Sequence, residues 1–259
     1  ITLTPGNAGR LYRFGAIPRM LGLTFAQAEQ LWRLMAGGQD SLLRQLGAAD
    51  TLNAPTLIAR TEQVLAWMHD TGLNLVQLQG MVSEQHSATA TAEMFTFLQT
   101  IMNSVHPRSN QPPSEDAALA QQLHRTLASG FNLKANVMAR LLDWQTALRS
   151  DDDEDVFTVD AYWQSIQALF NGDASIDQLQ QKTTLVTWTQ QLSQLVVIAH
   201  WLSLTELDLQ LLTKTPTQLH GDWSQPPSPS LAVLLLLSRF KPWQTQVTVS
   251  RDEALRLLE

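Results

Sequence analysis

Apolar side chains recur at every third or fourth position along nearly all of the 259 residues. This spacing places them on one face of an α-helix, and the pattern repeats segment after segment. The nearest candidate for a strand, Val247-Thr248-Val249, is too short. The pattern therefore predicts an all-α fold: an irregular stack of αα-hairpins, similar to a bundle or a solenoid, without a significant β-sheet.

The predicted helices begin at capping residues and end at Gly, Pro or polar corners. In chain order they are Ala8–Leu21, a helix capped by Thr24, one from Pro55 to His69, one capped by Asn74, Ala90–Val105, Glu115–Ser129, Leu133–Arg149, Val159–Phe170, Ile176–Leu202, Thr205–Leu212, Leu231–Gln246 and a last one from Ser250. The inward residues expected in the first helix are Leu11, Tyr12, Phe14, Ile17 and Leu21. After Asn74, we expect Val76 to face inward as well.

One corner recurs between these helices: a small residue, a large apolar residue and a capping residue. The four instances are Leu21-Gly22-Leu23-Thr24, Thr71-Gly72-Leu73-Asn74, Ser129-Gly130-Phe131-Asn132 and Leu202-Ser203-Leu204-Thr205. Gly at the helix end permits a positive φ, the apolar residue fills the corner, and the polar residue caps the next helix. The corners are unevenly spaced, which excludes a solenoid of fixed period.

Two Pro-rich stretches, 104–114 and 215–230, interrupt the helical pattern. The first divides the chain into an N-terminal helical part, 1–106, and a C-terminal helical part, 115–259, within what we expect to be one continuous helical domain. The sequence also ends inside an apolar helical pattern, at residues 253–258. We therefore expect a segment of a much larger protein.

Charge is scarce in this sequence. Charged residues make up 16% of the chain, against about 25% in an average soluble domain, so its surface is one that neighbours could cover. The net charge is −7 and no Lys/Arg cluster occurs, which argues against a nucleic-acid partner. The longest apolar runs, Leu231–Leu237 and Leu195–Ala199, are far shorter than the roughly 20 residues of a membrane helix. No signal peptide is visible after Ile1.

No motif of a metalloprotease, a phosphate-binding loop, a dinucleotide site or an α/β-hydrolase occurs. None of the six histidines lies three or four residues from another, so a helical metal pair is not expected. We expect neither a cofactor nor enzymatic activity. Histidine titrates near neutral pH, and His200, on the most apolar predicted helix, is our candidate pH sensor. The alternative is an ordinary surface histidine.

Two further features are candidates for function. The acidic run Asp151, Asp152, Asp153, Glu154 and Asp155 does not fit a calcium loop, because the sixth and twelfth positions hold Val156 and Tyr162. It predicts either a solvated loop before the Val159 helix or a contact that changes with pH. Most of the eight tryptophans are in phase with Leu and Met and predict a core. Trp223, in a Gly/Pro-rich stretch, is the candidate interface residue.

The corners also carry a resemblance to a known family. The stretch Leu11-Tyr12-Arg13, Leu21-Gly22-Leu23-Thr24 and Leu31-Trp32 resembles a helical repeat of the A subunits of bacterial Tc (toxin complex) insecticidal toxins. The other stretches that resemble the family are Ser129–Val137, Gln190–Leu207 and Leu234–Trp243. Ser203 departs from the pattern, since the family often has Gly there, and 104–114 is a long insertion.

This resemblance implies a function that the residues alone do not give. The A subunits are very long chains that form bell-shaped homopentamers, in which a helical shell surrounds an α-helical channel. The shell carries receptor-binding inserts, opens with a change of pH, and releases the channel into the host membrane. A B–C component then passes a toxic enzyme through it. The resemblance implies a secreted or surface-associated shell segment that touches no membrane itself. The alternative is a free-standing all-α interaction module.

Overall fold

The described part of the chain folds into α-helices. The computed structural model describes residues 5–37, 42, 44, 54–83, 86–105, 112–148, 157–172, 174–221 and 223–246, and contains no strand within these ranges. The all-α prediction is confirmed. The acidic run 151–155, the segment 247–249 and the predicted helix from Ser250 lie outside the described residues.

The described helices follow the predicted order. They are α1 (Pro5–Met20), α2 (Phe25–Met35), α3 (Ala54–Thr71), α4 (Leu75–Val82), α5 (Ala92–Ser104), α6 (Ala117–Gly130), α7 (Ala135–Ala147), α8 (Val159–Phe170), α9 (Ile176–Gln181), α10 (Thr183–Trp201), α11 (Glu206–Lys214), α12 (Pro216–Leu219) and α13 (Leu231–Gln246).

Two predicted boundaries are wrong. The single helix expected over Ile176–Leu202 is divided into α9 and α10 at Lys182, whose backbone (φ −91°, ψ 63°) is not helical. The short helix α12 begins inside the stretch expected to be irregular, with Pro216 in its first turn. Pro is well suited to that position because its φ is already helical and no N–H partner is needed there.

The helices form two compact units. The first contains residues 1–83 with 229–236, and the second contains 84–228 with 237–259. The division at 106–115, expected from the Pro-rich stretch, stays a prediction.

The core of the first unit surrounds Trp32. Its buried residues include Ile17, Ala28 and Leu57. The Trp32 indole Nε1–H donates to Thr61 Oγ1 at 3.0 Å, and the Thr61 hydroxyl donates to the Leu57 carbonyl at 2.7 Å. Both Trp32 and Thr61 are fully buried, so the hydroxyl satisfies an indole that no water can reach.

Three residues expected to face inward in this unit do not. Leu11 and Tyr12 on α1 are 63% and 75% exposed, and Val76 on α4 is 75% exposed. Ile17 is buried, and Phe14 and Leu21 pack against the core, as expected. Because α1 is apolar on more than one side, periodicity alone does not single out the face that meets the core.

The core of the second unit is aromatic. Trp144, Trp163, Trp188 and Tyr162 are fully buried, and the Tyr162 and Trp188 rings lie 4.0 Å apart between centroids. The buried amide of Gln145 donates through Nε2 to the Trp188 carbonyl at 2.8 Å, which joins α7 to α10. The core interpretation of these tryptophans is confirmed.

The four predicted corners share one hydrogen-bond pattern. In each, the residue at positive φ donates its N–H to the carbonyl three residues back, and the following Leu donates to the carbonyl five residues back. For example, Gly72 N donates to His69 O at 3.2 Å and Leu73 N to Met68 O at 2.9 Å. This is the Schellman motif, which satisfies the last carbonyls of a helix.

The register of the third corner was predicted wrongly. The residue at positive φ is Asn132 (53°), and Gly130 is the last residue of α6. Glycine is needed at position 130 for a steric reason, because a Cβ there would lie 2.6 Å from the Phe97 ring. Asn is one of the few other residues that tolerate the left-handed region. The aligned corners are therefore Leu-Gly-Leu-Thr, Thr-Gly-Leu-Asn, Phe-Asn-Leu-Lys and Leu-Ser-Leu-Thr.

We predict that Thr61→Val lowers the free energy of unfolding of the chain by about 1–3 kcal/mol, because it leaves the buried Trp32 N–H without an acceptor. Urea denaturation measures the change. Thr96→Val is the matched control, since the Thr96 hydroxyl bonds the Ala92 carbonyl on an exposed helix surface. Equal effects of the two substitutions would contradict the proposed role of Thr61.

Candidate functional site

A groove of about 460 Å³ opens where the third and fourth corners meet, within the second unit. Its residues come from the two corners, from the last turn of α10 and from the first turns of α7 and α11. They are Asn132, Leu133, Lys134, Asn136, Val137, Ala199, His200, Ser203, Leu204, Thr205, Glu206 and Leu207. The candidate pH sensor His200 is thus part of a built concave surface.

Polar side chains tie the two corners together across this groove. Asn136 Nδ2 donates to Glu206 Oε2 at 2.7 Å, and an Arg140 guanidinium nitrogen lies 3.6 Å from Glu206 Oε1. Another nitrogen of Arg140 donates to Asp143 at 2.9 Å. Side chains of α7 therefore hold the first turn of α11, where a carboxylate is also favoured by the helix dipole.

The ring of His200 spans the groove to the other corner. Its Nε2 lies 2.8 Å from the Phe131 carbonyl oxygen. A carbonyl oxygen only accepts, so Nε2 carries the hydrogen in this contact whether the ring is neutral or charged. Protonation would add charge at Nδ1 without breaking the bond. The pH-sensing role of His200 therefore stays a prediction, and its consequence would depend on groups that approach Nδ1.

The helices that line the groove begin differently. Thr205 and Asp208 form a reciprocal capping box at the start of α11, and Asp208 is 3% exposed. Lys134 makes no side-chain cap at the start of α7. The Val137 N–H is instead satisfied by Asn136 Oδ1 at 3.1 Å. Asn136 thus serves both the start of α7 and the contact with Glu206.

Trp223, the candidate interface residue, is partly buried. Its ring stacks on the exposed His220 ring, with 5.2 Å between centroids, and its backbone N–H donates to the His220 carbonyl at 2.9 Å. Nearby in sequence, the Pro227 carbonyl accepts from the Trp144 indole at 3.1 Å, which fixes the Pro-rich stretch to α7. An interface role for Trp223 stays a prediction.

Sequence reasoning missed two histidines, His86 and His124, whose surroundings shift their pKa values. Burial lowers the pKa of His124 on α6, while the nearby Asp143 carboxylate acts in the opposite direction. Burial also lowers the pKa of His86. His124 is four residues from Ala120 and Ala128, so its position on the inner side of α6 could have been found from the helical period.

The described ranges were also searched for other kinds of site. In them, no three His, Asp or Glu side chains converge so that they could hold a metal ion. No helix there has the length and apolar character needed to cross a membrane.

Two solved structures are similar to this chain over most of its length. A chain of Yersinia pseudotuberculosis TcaA-TcaB matches 95% of it with 36% identity and a TM-score of 0.82. Morganella morganii TcdA4 matches 88% with 16% identity and a TM-score of 0.62, which bears on the fold alone. The matches cover 12% and 9% of those chains. No family model and no curated protein matches the sequence.

The fold of this chain is thus that of parts of two Tc toxin structures. The chain belongs to the family of Tc toxin A subunits, and it is a Tc toxin component. It spans about an eighth of the length of the TcaA-TcaB chain that it matches.

We predict that Ser203→Gly stabilises the chain by about 0.5–1 kcal/mol, because Ser203 has a φ of 49° that costs a residue with a Cβ more than it costs glycine. The reciprocal change, Gly72→Ser at a φ of 69°, should destabilise it by a similar amount. Thermal unfolding tests both. A destabilised Ser203→Gly variant would contradict the prediction.

We predict that His124→Gln reduces the loss of stability on acidification. The folded pKa of His124 lies below its usual value, so between about pH 6.5 and the folded pKa the unfolded chain binds more protons. The contribution of neutral His124 to the free energy of unfolding is therefore fully present above about pH 6.5, and it is lost as the pH falls towards the folded pKa. Urea denaturation at about pH 7.5 and about pH 5.5 measures the difference. His69→Gln, at a side chain 91% exposed, is the control substitution, and an equal change in pH dependence in both variants would contradict the prediction.

Proposed function

We propose that this chain is a wall segment of the α-helical shell of a Tc toxin A subunit. The single observation that carries the proposal is the match of 95% of the chain, at 36% identity, to 12% of a much longer Tc toxin chain. A segment of that size, built only of helical hairpins in its described part, suits a scaffold. Its task would be to surround and support the translocation channel and to carry the receptor-binding inserts.

The physical properties of the described residues suit a stiff wall. Four corners close with the same pair of backbone hydrogen bonds, which leaves few free carbonyls and little freedom at the helix ends. Three of them continue into a capping box, at Thr24, Asn74 and Thr205. Buried tryptophans and the Gln145–Trp188 bond fix the packing in the second unit. Bending within either unit would disturb the two corners of that unit.

The proposal extends to partners and location. In the full-length protein the segment would assemble with other A-subunit protomers as a homopentamer and act with the B–C component. Other parts of the subunit would bind the host-cell receptor and enter the membrane. We propose a secreted or surface-associated, insecticidal, pore-forming complex in which this segment has no enzymatic activity, no cofactor and no nucleic-acid partner.

The alternative is a free-standing all-α interaction module, with the Pro-rich stretches as its contact surface. Light scattering of the parent polypeptide separates the two. A long chain that assembles as a pentamer supports the shell, and a natural monomer of 28.9 kDa supports the module.

We predict that strained corners weaken the pentamer of the full-length A subunit. In the double variant Gly22→Val and Gly72→Val, a β-branched residue occupies φ values of 70° and 69°, at a cost of about 1–2 kcal/mol at each corner. The temperature at which the pentamer dissociates should fall together with the unfolding temperature of the 259-residue chain. Dye release from liposomes reports channel formation in parallel.

Gly80→Ala is the control for this experiment. Gly80 lies inside α4, and a Cβ there meets no atom within 4 Å, so the substitution should not weaken either species. If the double variant unfolds early as an isolated segment while the pentamer and its dye release stay unchanged, the wall role is wrong.

A further inference from the structure

Helix α8 ends at an asparagine that a glycine follows. The sequence contains eight asparagines, and Asn171 is the only one with glycine as its next residue. Asn171 is the C-cap of α8, and both Asn171 and Gly172 are exposed. The pair therefore places a side-chain amide next to a backbone nitrogen that carries no bulky neighbour, in contact with solvent.

The backbone nitrogen of Gly172 is open to attack its neighbour. The Asn171 N–H donates to the Gln167 carbonyl at 2.9 Å and so closes α8. The Gly172 carbonyl accepts from the Ala174 N–H at 2.9 Å, but no backbone hydrogen bond of the described residues uses the Gly172 N–H. A Cβ added to Gly172 would meet no atom within 4 Å. Neither a backbone hydrogen bond nor close packing therefore holds this nitrogen in place.

The backbone of Asn171 can turn without opening the helix. Its ψ of −7° is still helical, and it must leave that range before the Gly172 nitrogen can approach Cγ of Asn171. This rotation acts after the Asn171 N–H, so it leaves the bond to Gln167 intact. Asn103 differs, because it is also exposed but both it and Ser104 lie inside α5. The same rotation there would break helical hydrogen bonds.

We propose that Asn171 is a site of spontaneous modification, at which the side-chain amide is lost through a cyclic imide formed with Gly172. The Gly172 nitrogen gives up its proton and attacks Cγ of Asn171, a C–N bond forms, and Nδ2 leaves as ammonia. Water then opens the five-membered imide at one of its two carbonyls. One opening gives aspartate. The other gives isoaspartate, in which the main chain runs through the former side-chain carbonyl.

The modification changes the end of α8 in two ways. Either product adds a negative charge at the C-terminal end of the helix, where the helix dipole disfavours an anion. Isoaspartate also lengthens the main chain by one methylene group directly after Phe170, whose ring packs against Phe95 at 5.3 Å between centroids. We therefore expect modified chains to hold α8 against α5 less firmly. This inference goes beyond the proposed function and does not depend on it.

Incubation of the chain in mildly alkaline buffer, followed by peptide mass spectrometry, tests the proposal. The peptide with Asn171 should show the mass change of NH₂ replaced by OH and separate into aspartate and isoaspartate forms. Gly172→Ala should slow the conversion roughly tenfold, because its methyl group shields the nitrogen and restricts the backbone. The added Cβ meets no atom within 4 Å, so the fold is kept. Gly80→Ala, at an equally open glycine, is the matched control and should leave the rate unchanged.

Three results would overturn the proposal. Equal rates in the wild type and Gly172→Ala, or aspartate as the sole product, would indicate direct hydrolysis without the imide. Equal conversion at Asn103 would show that the end of α8 has no special reactivity. Conversion in a free peptide of residues 167–175 but not in the folded chain would show that the fold keeps the Gly172 nitrogen away from Asn171.

Asn171→Asp isolates the effect of the added charge. The unfolding equilibrium constant should rise roughly twofold to fivefold, because the carboxylate lies at the unfavourable end of the helix dipole. Added salt should reduce the difference by screening the charge. Asn171→Gln is the neutral control and should unfold as the wild type does. An Asn171→Asp chain as stable as the wild type would overturn the expected weakening of α8 by charge.

Discussion

The fold depends on one backbone arrangement, in which a helix ends at a residue with positive φ and the next helix begins within a few residues. Gly22, Gly72, Asn132 and Ser203 take this conformation, and each places a leucine amide against the carbonyl five residues back. That bond fixes where the leucine enters the core and where the next helix begins. The hairpins, and the groove between the third and fourth corners, follow from these four positions.

Many helix boundaries could be predicted from the sequence, because the residues that end and cap a helix are its neighbours in the chain. The predicted bounds Val159–Phe170 and Leu231–Gln246 are those of the structure, and Thr24, Asn74 and Thr205 form the expected caps. The third corner was predicted in the wrong register because Gly130 was interpreted as the residue at positive φ. Its actual constraint is the Phe97 ring, thirty-three residues away in the sequence. A steric reason of that kind has no local signal.

The side-chain contacts in the groove could not be predicted from the sequence either. Sequence reasoning selected His200 because its helix is apolar, but the relevant contact is the Phe131 carbonyl, which only the packing of α10 beside the third corner brings near. The Asn136, Arg140 and Glu206 contacts also join residues distant in sequence. Polar residues on helix surfaces are common, so their pairing across two helices cannot be read from either helix alone.

Scarce charge and exposed apolar surface have one physical explanation in a segment of a longer chain. An isolated domain needs charged residues to stay soluble, whereas a wall segment meets neighbours over much of its surface.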